Sequence, residues 1–139
     1  MPLLKRNTDT DSVSTPGSTQ KSVQAISQIV FNTAVQMHIT HLQAVKTSYE
    51  IHKALDYFFT ELAELNDELV EKSFSKTGLL LSYSNMPIIN NLEPCSYIRD
   101  RMEEIELFRR DITEPYIQAL VDDIIQEYGH AIYRLEALK

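Results

Sequence analysis

Residues 49–72, YEIHKALDYFFTELAELNDELVEK, form the stretch that decides the fold. Large apolar side chains recur there every three or four positions, and neither Gly nor Pro interrupts the run. This period predicts a single long helix with one apolar face turned to a core. The residues that define this apolar face are Leu55, Phe58, Phe59, Leu62, Leu65 and Leu69.

The same helix carries four candidate metal ligands in two pairs. His52 and Asp56 are four residues apart, and Asp67 and Glu71 repeat that spacing. Residues at i and i+4 lie one turn apart on the same face of a helix, so each pair can serve one metal site. We expect these ionisable side chains to be buried or nearly so, where they need a partner or a metal ion.

The two pairs are too far apart in one chain to bind the same ion. Asp56 and Asp67 lie about 16 Å apart along a helix, whereas metal–ligand bonds are about 2 Å long. His52 and Glu71 are equally distant from a midpoint between residues 61 and 62, and so are Asp56 and Asp67. Two copies of this helix that cross antiparallel on a two-fold axis there would place one pair opposite the other. The spacing therefore predicts a metal site shared between two subunits and present twice per dimer.

A His-x-x-His motif precedes this helix. His38 and His41 lie near the end of a helix expected over residues 22–46, and a lone histidine there would more often be a hydrogen-bonded core residue than a ligand. The short link at residues 47–48 predicts an antiparallel hairpin that folds His41 back beside His52. We interpret His38 as a residue that supports the site without binding the metal. The predicted metal-binding and catalytic residues are His41, His52 and Asp56 from one chain and Asp67 and Glu71 from the other.

Composition restricts the class of protein further. The chain has 139 residues, of which 43% are hydrophobic and three are glycine, which favours a single all-α domain. Its one cysteine, Cys95, suits a reducing compartment and is expected to be a buried bystander rather than a catalytic thiol. We see no signal-peptide pattern and no apolar run long enough for a membrane span, so a cytoplasmic location without membrane partners is expected. The net charge of −7 suits a protein that attracts cations and argues against a general nucleic-acid surface.

Residues 1–20 are rich in Ser, Thr, Asp, Pro and Gly, which predicts a flexible N-terminal tail. Lys5 and Arg6 could contact DNA phosphates, which makes DNA binding an alternative role for the tail. Asp9 and Asp11 offset that charge locally, so the tail would be a weak anchor.

Residues 21–139 are expected to form one all-α domain, an antiparallel four-helix bundle. A third helix is predicted over residues 95–112, and a fourth follows, with Thr113 as its cap and Pro115 in its first turn. Residues 77–94 contain several Leu and Ile side chains, so we expect this long crossover to pack on the helices. A single long connection between the second and third helices is what ferritin-like bundles need.

Helix four contains an E-x-x-H motif, Glu127 to His130. A di-iron site built inside one bundle needs two such motifs on different helices. The second helix has none, because Tyr49 occupies the position three residues before His52. We therefore interpret Glu127 and His130 as surface or cavity residues.

The ligand spacing resembles that of the Dps-type mini-ferritins, the DNA-binding proteins from starved cells in the ferritin-like superfamily. Their first helix ends in H-x-x-H, as at His38 and His41 here. Their second helix carries His, then Asp four residues later, Asp eleven further on, and Glu four after that. The matching residues of this chain are His52, Asp56, Asp67 and Glu71.

Other positions extend or break this resemblance, which covers about residues 25–138. Phe59 falls where the family commonly has an aromatic residue, and Glu127 and Arg134 resemble polar positions of its last helix. The family usually has Trp at the positions of Leu42 and Ala131. The link between the first two helices is one residue shorter and lacks the usual Gly, and the crossover is also shorter.

The resemblance implies a ferroxidase that binds Fe(II), oxidises it with peroxide or O2, and stores or detoxifies iron in a hollow homo-oligomer. It implies at least a two-fold dimer and, in the family, a dodecameric shell, with Zn as a substitute metal. Imidazole and carboxylate ligands also suit Fe(II) on chemical grounds, and Glu71 is a candidate bridge between two irons.

Two alternatives stay open. The chain could be a non-enzymatic ferritin-like assembly protein, of the kind that accompanies phages, with a structural metal. It could also be an oxidoreductase that works as a monomer or dimer and recruits Glu127 and His130.

Overall fold

The computed structural model describes residues 17–139, and these contain four long helices and no strand. The expected all-α class with four helices is confirmed. The predicted tail falls largely on residues 1–16, which lie outside the described residues. The helices are α1 (Ser18–Gln43), α2 (Tyr49–Thr77), α3 (Pro94–Arg109) and α4 (Pro115–Ala137), with a short 3-10 turn at Ala44–Lys46 between the first two. None of the described helices has the length and apolarity needed to cross a bilayer.

Local sequence explains where α2 begins and ends. The hydroxyl of Ser48 accepts a hydrogen bond from the Ile51 N–H at 3.2 Å and so caps the start of α2. At the other end Gly78 adopts a left-handed conformation with φ of 69°, and its N–H donates to the Phe74 carbonyl at 2.8 Å. Glycine adopts this conformation without steric cost, so it ends the helix cleanly.

The start of α4 differs from the prediction. Pro115 does occupy the first turn, but Glu114 rather than Thr113 is the capping residue, and no side chain caps the helix. The Thr113 hydroxyl lies instead within hydrogen-bond reach of the Thr19 hydroxyl, and the Thr113 N–H donates to Thr19. This residue therefore ties the α3–α4 turn to the start of α1.

The helix order follows from the contacts at the helix ends. The start of α1 meets the end of α2 through Ser73 and Gln20, whose side chains are hydrogen-bonded at 3.1 Å. It also meets the end of α3, because Ser18 donates to the Asp111 carbonyl. The turn between α3 and α4 is short, so those two helices are antiparallel. Helices α1 and α4 therefore run in one direction, and α2 and α3 run in the other.

One apolar core lies between the four helices. Each of α1 and α4 packs against both α2 and α3. At the centre, the buried ring of Phe58 meets the ring of Tyr128 edge-on, with 5.3 Å between centroids. The Tyr128 hydroxyl donates to the Thr33 hydroxyl at 2.7 Å, so this buried polar group is satisfied.

The crossover, residues 78–93, runs as an extended segment along α1 from its start to its end. It is fastened by glutamine side chains of α1 that bond its backbone. Gln24, for example, accepts from the Ser82 N–H at 2.8 Å and donates to the carbonyl of the same residue. The expectation that this segment packs on the helices is confirmed.

Candidate metal centre

The sequence-predicted ligands His41 and His52 are brought together at the α1–α2 hairpin. The two rings are stacked, with centroids 3.8 Å apart and an angle of 15° between the planes. His41 Nδ1 lies 2.7 Å from the backbone carbonyl oxygen of His52, and His52 Nδ1 lies 2.8 Å from the carbonyl oxygen of His41. Each histidine thus holds the backbone of the other across the two helices.

These reciprocal hydrogen bonds determine the tautomer of both rings. A carbonyl oxygen can only accept a hydrogen bond, so each Nδ1 carries the proton and donates it. In a neutral imidazole the other nitrogen, Nε2, then keeps its lone pair. Histidines that bind metals commonly donate their second ring N–H to a carbonyl in this way, which fixes the ring and leaves one nitrogen as the ligand. The pair therefore offers two oriented donor atoms.

Aromatic neighbours hold this end of the site. His38 is exposed and stacks on Phe59, with centroids 4.3 Å apart and planes at 14°. Phe59 also meets the buried His41 ring edge-on at 5.3 Å. His38 therefore supports the pair through Phe59, a contact that the helical period of residues 49–72 did not reveal.

The carboxylates lie elsewhere on α2, and their predicted burial is wrong. Asp56, Asp67 and Glu71 are all exposed in the single chain. Among residues 17–139 no three His, Cys, Asp or Glu side chains are close enough to hold a metal ion. The expected convergence of Asp56 with His41 and His52 within one chain is therefore not found. The reason is that Asp56 lies on a surface of α2 that none of the other described helices covers.

That uncovered surface is continuous along α2. At about 100° per residue, positions 49, 56, 60, 63, 67 and 74 fall on one side of the helix, and all six side chains are exposed. His52 and Glu71 flank this side at mirror-related angles. We call this surface the open face of α2; it comprises Tyr49, Asp56, Thr60, Ala63, Asp67 and Phe74.

A groove between α1 and α2 borders the open face. Its volume is about 310 Å³, and its walls include Val35 and His38 of α1 and Phe59, Ala63 and Asp67 of α2. Large apolar side chains remain exposed around it and along the same side of the hairpin. They are Phe31, Val35, Leu42, Val45, Tyr49 and Phe74, each between 38% and 63% exposed. A run of exposed apolar residues of this kind marks an interaction surface.

The E-x-x-H motif of α4 forms a separate cluster. His130 Nδ1 lies 3.7 Å from a Glu127 carboxylate oxygen, and Arg134 lies 3.9 Å from the other. The guanidinium of Arg134 stacks over the Tyr57 ring at 4.4 Å. Glu127 is thus the carboxylate partner of both His130 and Arg134, which lie on the same helix.

The single cysteine belongs to the core. Cys95 is 3% exposed, and burial raises the pKa of its thiol, with the nearby Glu93 carboxylate acting in the same direction. A raised pKa disfavours the thiolate, which is the reactive form. This environment favours the interpretation of Cys95 as a buried bystander rather than a catalytic thiol.

The chain belongs to a family of unknown function (DUF5856), whose model matches residues 41–135. The matched range begins at His41 and contains His52, Asp56, Asp67 and Glu71. No curated protein and no solved structure matches the chain. What the site does therefore has to be argued from its geometry.

Proposed function

We propose that this chain is a ferritin-like protein of the Dps type, which binds Fe(II) as its substrate and oxidises it at a site shared by two copies of the chain. His41, His52 and Asp56 of one copy would bind the metal together with Asp67 and Glu71 of the second copy. The dimer would be the unit of a larger hollow shell of up to twelve subunits that stores or detoxifies iron.

The observation that carries the proposal is the reciprocal bonding of His41 and His52. Both rings donate Nδ1–H to a carbonyl, so the neutral form of each ring carries its lone pair on Nε2. Two imidazole nitrogens that are held side by side at the end of the hairpin can bind one metal ion, for which a second copy of the chain would supply further carboxylate ligands. Neutral imidazole and carboxylate oxygen are ligands that suit Fe(II).

The open face of α2 supports the participation of a second copy. Its acidic residues, Asp56 and Asp67, are symmetric about a point between residues 61 and 62, so a two-fold axis there brings Asp67 of one chain toward Asp56 and His52 of the other. The exposed apolar side chains beside it, such as Phe31 and Val35, would be covered by the same contact. The ligands are then separated within one chain because each site is completed by the second copy across the two-fold axis.

The helix order supports the ferritin-like part of the proposal. Helices α1 and α4 run opposite to α2 and α3, and one long connection, residues 78–93, joins the two hairpins. Four-helix bundles with one long crossover are typical of ferritin-like folds.

Each residue would have a defined task in the reaction. The imidazoles and Asp56 would hold Fe(II) on one wall, and Asp67 would complete its coordination from the other. Glu71, with two carboxylate oxygens, is suited to bridge two metal ions. Ligands of this type leave coordination positions open, through which peroxide or O2 can accept electrons from the iron.

Complementation between two inactive variants tests the shared site directly. We expect His52→Ala and Asp67→Asn each to abolish fast Fe(II) oxidation by the metal-free protein, because each removes a ligand from both sites of the dimer. A hybrid dimer of the two variants keeps one intact site, so equal mixing with subunit exchange should restore about a quarter of the wild-type rate. Asp100→Asn, which alters an exposed carboxylate of α3, is the matched control and should oxidise Fe(II) like the wild type.

The outcome separates the proposal from its rivals. If the mixture stays inactive although labelled subunits have exchanged, the site is not shared. A wild-type protein that does not accelerate oxidation over buffer, yet binds Zn at the same residues, would be an assembly protein with a structural metal. Loss of activity in His130→Ala but not in Asp67→Asn would move the reaction to the Glu127 cluster.

A further inference from the structure

A second groove follows the edge of the bundle where α3 meets α1. It has a volume of about 550 Å³, and its apolar walls are Ala25 and Ile29 of α1 with Leu107 and Phe108 of α3. Helix α3 packs on α1 and α4, whereas the metal ligands and the open face belong to α1 and α2. None of these four walls is among the residues assigned to the second copy, so the proposed dimer contact does not account for this groove.

The chemistry of the walls indicates what kind of segment fits between them. Leu107 is 56% exposed and Phe108 is 39% exposed, so the groove presents apolar surface to water. Glu104 and Asp111 also line it, and none of the described lining residues is basic. Glu104 already contacts Arg101 at 3.0 Å, so Asp111 gives one end of the groove its negative charge. An occupant with apolar side chains next to basic ones matches these walls.

The chain enters α1 at the acidic end of this groove. The Ser18 hydroxyl donates to the Asp111 carbonyl at 3.4 Å, and the Thr19 hydroxyl reaches the same oxygen at 3.5 Å. Asp111 is itself a wall of the groove. Gly17, the first residue that the structure describes, therefore lies beside the mouth of the groove, and the preceding residues join the bundle there.

The residues before Gly17, which lie outside the described part of the chain, combine an apolar and basic cluster with a polar spacer. The cluster is Leu3-Leu4-Lys5-Arg6, and residues 7–12, NTDTDS, contain no apolar side chain. Leu4 precedes Gly17 by 13 residues, and a flexible chain of that length spans about 20 Å. Gly17 and Ile29 are about 18 Å apart along α1. The spacer thus has the length that brings the two leucines to the groove.

We propose that residues 3–6 dock in this groove of their own chain. The two leucines pack against its apolar walls, which removes that surface from water. The two basic residues follow on the side of the segment that leads back to Gly17, so they lie toward Asp111. The order of apolar and basic residues in the segment then matches the order of apolar and acidic walls along the groove. This proposal does not rest on the proposed function.

Disulfide exchange in the full chain tests the docking. Asn7→Cys combined with Ala25→Cys places one thiol directly after the cluster and the other in the groove. Asn7→Cys combined with Ala119→Cys is the matched control, because Ala119 is exposed near the start of α4, at the same end of the bundle. A glutathione buffer of known composition gives the effective concentration of each thiol pair. A flexible, undocked segment gives millimolar values for both pairs, whereas docking should raise the value for the Ala25 pair at least about tenfold above the control.

Further substitutions test the contacts themselves. Leu4→Asp should lower the effective concentration of the Ala25 pair to the control value, because apolar walls do not accommodate a carboxylate. Val13→Asp makes the same kind of change in the spacer and should leave the value within about twofold of the unchanged segment. Leu107→Asp should act like Leu4→Asp from the side of the groove, with circular dichroism to show that the helices are kept.

Two results would overturn the proposal. Equal effective concentrations for the Ala25 and Ala119 pairs would show that the segment does not dock. A disulfide product of twice the chain mass, in place of the product within one chain, would assign the segment to the groove of a second copy. Neither result bears on iron oxidation, because the groove contains none of the predicted metal ligands.

Discussion

Single residues at the α1–α2 hairpin perform two tasks at once. Through Nδ1, His41 and His52 each satisfy a carbonyl of the opposite helix and so fasten the hairpin. Through Nε2, they keep a donor atom for another group. Because the backbone carbonyls hold both Nδ1–H groups, both Nε2 atoms have a fixed orientation before any ligand arrives.

This arrangement leads to a prediction for the metal-free protein. We expect nitrogen-detected NMR above pH 8 to show the Nδ1–H tautomer for both His41 and His52, because only that form donates to a carbonyl. The exposed ring of His130 serves as the reference for a histidine without a carbonyl partner. An Nε2–H tautomer at either position would contradict the reciprocal pairing and remove the basis for the metal site.

The residue scale also shows what the sequence was able to predict. His41 and His52 are equally far from the turn between their helices, so their spacing was sufficient to predict that they meet. Their bonds to backbone carbonyls depend on ring rotamers and on the distance between helices, neither of which leaves a pattern in the sequence. Asp56 and Asp67 were wrongly expected to be buried, because the apolar period of a helix shows which side enters the core but not how far the neighbouring helices extend around it.

At the scale of elements, the crossover shows how a segment without regular structure is kept in place. Its apolar composition predicted that it packs on the helices, and Leu81 and Leu92 do lie against the core. Gln24, Gln28 and Gln36 of α1 each accept a hydrogen bond from a backbone N–H of the crossover, and we call this series the amide ladder. It was not predicted, since Gln residues on one face of a helix usually indicate a solvated face. What distinguishes it is the match between four helix residues and two extended residues, which becomes visible only when both elements are placed side by side.

The ladder predicts an alternating pattern of hydrogen exchange in the crossover. The amide hydrogens of Ser82, Ser84 and Ile89 should exchange more slowly than those of their neighbours, because each donates to a glutamine. Gln36→Leu should remove the protection at Ile89 alone and lower the free energy of unfolding by about 1 kcal/mol, since the freed backbone groups still reach water.

The matched control is Gln126→Leu, which replaces an exposed glutamine of α4 and should leave both the exchange pattern and stability unchanged. If Ile89 exchanges as fast as its neighbours in the wild type, the crossover is not held by the ladder.

In the molecule as a whole, a closed core is combined with large apolar side chains that stay exposed on several surfaces. The core between the helices is complete, with Phe58, Leu62 and Tyr128 fully buried. Within residues 17–139, the hairpin side leaves large apolar residues exposed next to carboxylates that have no ion-pair partner there. A two-fold dimer would cover these apolar residues and give each carboxylate a partner.

The dimer has a sharp test at its expected centre. Ala63 is exposed, lies on the open face and is close to the midpoint of the ligand pairs. In sedimentation experiments, we expect the wild type to form a dimer or larger assembly and Ala63→Glu to be a monomer, because two carboxylates would face each other across the axis at a cost of several kcal/mol. Ala119→Glu, the same change at an exposed position of α4, should leave the sedimentation coefficient of the wild type unchanged. Circular dichroism would show whether both variants keep the helical fold. A wild-type protein that sediments as a monomer at every concentration would exclude a shared site, and the histidine pair would then have to act with ligands from the solvent or another protein.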